Sequence, residues 1–64
     1  MKAVWQLSHE DKVIHRDLAR ARTYLVRSLA DIRRYKSGFV WRVIASEVEK
    51  QIKYLELIME ELGK

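Results

Sequence analysis

Histidines and carboxylates are the residue types that ligate metals or move protons, and in this chain they cluster once, at His9, Glu10, Asp11 and His15. Asp11 and His15 are four residues apart, stacked on one face of a helix, so a metal could bridge them. Two ligands fall short of the four a structural site takes, and the Glu-x-x-His pair of di-iron bundles is missing. No metal site and no cofactor are expected, and His15 is read as an exposed residue near a helix start. Catalysis has as little support. Two glycines leave no loop to cradle a phosphate. No serine, histidine and acid fall where a nucleophilic arrangement could be argued, and the apolar seam carries no carboxylate for acid–base work. No catalytic residue is assigned, and an enzyme is not expected.

The residues with the most specific spacing are arginines. Arg16, Arg20, Arg27 and Arg34 fall within about 40° of one another on a helix, nearly opposite its apolar seam. Small residues, Ala19, Thr23 and Ala30, lie beside them, so a partner could come close. Arginine forks match phosphates, and such a row could track a nucleic-acid backbone. The competing reading is a solvated face on which Asp17 pairs with Arg20, and Asp31 with Arg27 and Arg34. Arg33 and Arg42 would add to the basic surface at the turn between two helices.

The elements that position these residues follow from length and periodicity. The chain has 64 residues, no cysteine and no proline. One domain of this size buries too little apolar surface to offset its ordering entropy, and without disulfides or thiolate metal sites the remaining route to a core is association. Nearly half the residues are apolar and 34% are charged, too apolar for a disordered chain. No apolar run approaches the ~20 residues of a bilayer span. The first residues lack the long apolar stretch of a secretory signal, so a soluble, cytoplasmic protein is expected.

Between Ser8 and Ser37 nothing would stop a helix. Ser8 suits an N-cap, with Glu10 and Asp11 in the first turn where the helix dipole favours carboxylates. The first helix has an inner face of Ile14, Leu18, Ala21, Leu25, Ser28, Leu29, Ile32 and Tyr35. Gly38 is expected to end it in a left-handed conformation, with Phe39 packing back on the final turn. The second helix turns inward Trp41, Ile44, Ala45, Val48, Ile52, Leu55, Ile58, Met59 and Leu62, a stripe roughly 140° wide. One neighbouring helix cannot cover that width. The expected fold is therefore all-α: an antiparallel two-helix hairpin that dimerises into a four-helix bundle. The single domain divides into an N-terminal extension (1–7), a first helix (8–37), and a turn with a second helix (38–64). Ile14, Leu18, Ala21, Leu25, Ile32, Trp41, Val48, Ile52, Leu55 and Met59 would form the dimer core. In the extension, Ala3, Trp5 and Leu7 alternate with polar or smaller residues as in a short strand. The uninterrupted first helix does not fit a ribbon-helix-helix protein, so Trp5 and Leu7 are expected to plug the open end of the bundle.

Charge is unevenly shared. Residues 8–37 carry eight basic side chains against four acidic ones, and residues 38–64 carry four against five, within a net charge of +4. Arg33, Arg34, Lys36 and Arg42 would gather at the turn end, and Glu10, Asp11, Glu56, Glu60 and Glu61 at the open end. Outside the seam, Phe39, Val43, Tyr54 and Leu57 could offer a second apolar patch to a protein partner. Two function classes follow. One is a small dimeric module acting through protein–protein contacts, as regulator, adaptor or assembly subunit. The alternative is a nucleic-acid-binding dimer that uses Arg16, Arg20, Arg27, Arg34, Arg33 and Arg42. In architecture the second resembles the Rop family of plasmid-copy-control proteins, dimers of helical hairpins that bind RNA; the likeness implies a fold, and function has to come from the site.

Overall fold

The computed structural model describes residues 2–64, so the N-terminal extension is described from Lys2 onward. Two long helices, α1 (His9–Tyr35) and α2 (Phe39–Leu62), pack against each other as a hairpin measuring 45 × 15 × 14 Å. No described helix is long and apolar enough to cross a membrane. A short 3₁₀ turn, Val4–Gln6, precedes them, and the described residues contain no strand.

Each boundary has a local cause. The Ser8 hydroxyl accepts a hydrogen bond from the Asp11 backbone N–H at 3.1 Å, satisfying one of the donors that a helix start leaves free. The α1 helix stops at Tyr35, two residues earlier than the spacing of turn signals predicts, because Lys36 adopts an extended backbone. Gly38 does take a positive φ, +106° with ψ 167°, but as the N-cap of α2 and not as the left-handed terminator of α1. That region of backbone space is essentially open to glycine alone. The chain therefore reverses through an extended Lys36 and a glycine kink, and Phe39 starts α2 pointing into solvent, 77% exposed, instead of folding back on α1.

The core is small. Leu29, Ala45 and Ile52 are buried at the centre of the hairpin, with Leu25, Ile32 and Val48 partly buried around them. Among the described residues, Leu7 is the other buried apolar one, at the open end. There Lys2 donates its backbone N–H to the Gly63 carbonyl, which lays the extension across the end of α2. Trp5 does not join Leu7 in closing that end; it is 75% exposed. In a strand, Trp5 and Leu7 would share a face. In a 3₁₀ turn the side chains that line up are three apart, Val4 and Leu7, and these two border a small cavity with His15 and Met59. His15 is accordingly half-buried under the extension instead of exposed as its place in the first turns predicted.

Candidate interaction surfaces

The two long flanks of the hairpin differ in chemistry. Along one flank, charged side chains tie the helices together: Arg22 Nε bonds Glu56 Oε1 at 3.0 Å, and Arg33 pairs with Glu49 nearer the turn. These residues lie roughly 50–70° to one side of the α1–α2 contact line when positions are projected at 100° per residue. The opposite side carries Ile14, Ala21, Ser28 and Tyr35 on α1, each seven residues after the last, and Ile44, Gln51 and Ile58 on α2 at the same interval. Leu55 and Leu62 adjoin the α2 row.

No ion pair among the described residues crosses this second flank. Ile14 (44%) and Tyr35 (69%) are exposed there. Ala21 is exposed as well, while Ser28, Ile44, Leu55, Ile58 and Leu62 are half-buried. Of the residues expected in a dimer core, Ile52 is buried within the single chain. Leu18, Leu25, Ile32, Trp41, Val48, Leu55 and Met59 are half-buried, and Ile14 and Ala21 stand open. A row repeating every seven residues is what one helix offers to a second neighbour.

The arginine row occupies the outer face of α1. Arg16, Arg20 and Arg27, with Ala19, Thr23 and Tyr24, line a shallow cavity of about 400 Å³. Arg16 lies 3.4 Å from Asp17. Arg20, Arg27 and Arg34 form no ion pair among the described residues, and the expected Asp17–Arg20, Asp31–Arg27 and Asp31–Arg34 pairs are not formed. Arg34 instead places its guanidinium 5.3 Å from the centre of the Tyr35 ring, a distance at which a cation is attracted to an aromatic face. Tyr24 is 71% exposed beside the arginines. Its spacing, four after Arg20 and three before Arg27, places it on their face, and sequence reasoning confined to charge missed it.

At the turn, Lys36 Nζ sits 5.2 Å from the centre of the Trp41 ring, and Arg42 makes no ion pair among the described residues. Both border a cavity of about 390 Å³ with Ser37 and Glu49. Arg33, counted among the candidate phosphate contacts, is engaged by Glu49.

The chain has no match among protein-family models, curated proteins or solved structures. Its surfaces are therefore read from their own chemistry.

The outer apolar residues of α2 divide into two pairs. Phe39 and Val43 stand near the turn, Tyr54 and Leu57 near the open end, all four exposed. Between the pairs, Lys50 Nζ meets Glu47 Oε1 at 3.2 Å. At 1.5 Å per residue the eleven steps from Val43 to Tyr54 span roughly 16 Å, so a partner would meet two small apolar contacts, one on each side of a charged one. Among the described residues, no three His, Asp or Glu side chains come together as a metal ion would require.

Proposed function

We propose that the chain is a non-enzymatic protein-interaction module that works as a homodimer, two hairpins joining along their uncharged flanks into a four-helix bundle. The observation that carries this reading is the asymmetry of the hairpin: ion pairs clasp one flank, and seven-residue rows of mostly apolar or small side chains, only half-buried or exposed, run along the other. Surface area supports it. The chain exposes 5260 Å² for a mass of 7.7 kDa. A compact monomer of that mass exposes about 4300 Å². The surplus, roughly 950 Å², is of the order of the ~800 Å² each partner contributes to a standard interface.

In the proposed bundle, Ser28 and Gln51 form a polar layer within an otherwise apolar joint, the kind of device that fixes register at some cost in stability. The outer pairs Phe39–Val43 and Tyr54–Leu57 then remain free for a different protein, which suits a regulator, adaptor or assembly subunit.

Sedimentation equilibrium tests the dimer. The expected mass at micromolar concentration is twice the 7.7 kDa of one chain. Ile44→Glu with Ile58→Glu puts carboxylates on the open flank and leaves Leu29, Ala45 and Ile52 untouched, so this variant should sediment as one chain. A wild-type mass of one chain would sink the proposal. A double variant that still sediments as two chains would place the joint on another face.

A further inference from the structure

We propose that the outer face of α1 binds single-stranded nucleic acid, with Arg16, Arg20, Arg27 and Arg34 on phosphates along one strand and Tyr24 stacked on a base. Three observations converge on this face. The arginine row runs over nineteen residues, about 27 Å of a straight helix, long enough to follow a backbone and not merely to hold one anion. Arg20, Arg27 and Arg34 have no carboxylate within ion-pair distance among the described residues, so their charge is available to a ligand. Between Arg20 and Arg27 an exposed Tyr24 ring borders the same shallow cavity, whose floor is made by Ala19 and Thr23.

The ring selects a single strand over a duplex. Phosphates alone would suit either form, but an exposed aromatic face gains from stacking only where a base is unpaired and can turn outward. The Thr23 hydroxyl donates to the Ala19 carbonyl at 3.0 Å, which commits its polar hydrogen to the helix. A small, smooth floor between arginines lets the sugar–phosphate chain approach closely while the guanidinium forks close on its oxygens. The carboxylates on this side are Asp17, held near Arg16, and Asp31.

Arg16, Arg20 and Arg27 point away from both the α1–α2 contact and the open flank, and Tyr24 and Arg34, the latter over the Tyr35 ring, only border that flank, so binding through the first three does not depend on the proposed dimer. A solution mass and a binding curve therefore succeed or fail separately.

Fluorescence anisotropy of the full chain tests the site, using a labelled single-stranded RNA of roughly 16 nucleotides, near the upper end of single-strand site sizes, and a duplex RNA of equal length. The single strand should bind more tightly. Its logarithmic salt dependence should have a slope of about −3, for four phosphates at ~0.7 each. Arg20→Glu with Arg27→Glu should abolish binding. Tyr24→Ala should weaken it at least about five-fold, the lower end for loss of one stacked base, and Tyr24→Phe should restore it. Circular dichroism matching the wild type separates lost contacts from lost fold. Absence of binding at low salt would overturn the site. So would equal affinity for the duplex, or a Tyr24→Ala variant that binds as well as the wild type, since either would leave only a general polyanion surface.

Discussion

At Gly38 a Cβ would meet nothing within 4 Å, yet the backbone there has φ +106°. Space and conformation thus give opposite forecasts for Gly38→Ala, and conformation should win. Holding a residue with a side chain in that region costs about 1–3 kcal/mol, which should appear as a lowered midpoint in urea unfolding with little change in slope. An unchanged midpoint would mean that the turn relaxes to another path. The position of this glycine was legible in the sequence, but the helix it serves was not. A left-handed end to α1 and a kinked start to α2 both call for glycine, and they differ in ψ, which residue type does not report. Ser8 was fully legible because its cap is satisfied by a backbone group three residues away. Tyr24 was overlooked for a different reason: it is neither charged nor part of the seam, and its meaning comes from the arginines on either side.

At the scale of elements, the two helices could be read from their periodicity because nothing between Ser8 and Ser37 competes with a helix. The extension could not. Over seven residues an alternating pattern and a 3₁₀ turn are hard to tell apart; here Gln6 closes the turn by accepting the Ala3 backbone N–H on its side-chain oxygen, and a contact distant in sequence, Lys2 with Gly63, ties the extension to α2. The outcome reverses the expected equivalence of Trp5 and Leu7. Leu7→Ala removes a buried side chain from the open end and should cost about 2 kcal/mol, the low end for such truncations because the site lies at an edge. Trp5→Ala should stay within about 0.5 kcal/mol of the wild type, as surface changes do. Thermal unfolding of both variants checks the pair. A larger loss at Trp5 than at Leu7 would mean that the indole, and not the leucine, closes the end in solution. The ion pairs Arg22–Glu56 and Arg33–Glu49 were similarly out of reach, since they depend on how the helices are rotated about their contact line.

Over the whole molecule, the hairpin is a rod with unlike ends. Arg33, Arg34, Lys36 and Arg42 surround the turn, whereas Glu10, Asp11, Glu56, Glu60 and Glu61 belong to the far end. Some of this charge is spent within the chain, on Arg33–Glu49, Arg22–Glu56 and Lys64–Glu61. The Arg34, Lys36 and Arg42 charges remain at the turn. In the proposed dimer, turns side by side would crowd these cations together, and the antiparallel arrangement would set each turn against the acidic end of the other copy. Surface Coulomb terms are individually small and screened by salt, and Lys2, Lys12, Lys53 and Lys64 offset part of the acidic charge at the far end, but separating the turns keeps their cations apart, and the apolar flank extends along most of the rod and so permits either direction. The antiparallel arrangement is therefore expected. Because the chain has no cysteine, Ser37→Cys supplies one labelling site per copy, at the turn. Spin labels on that residue should lie apart by a distance approaching the 45 Å length of the rod. A short separation would reverse the assignment, bring two basic turns together, and make that end of the bundle a second place to look for phosphate binding.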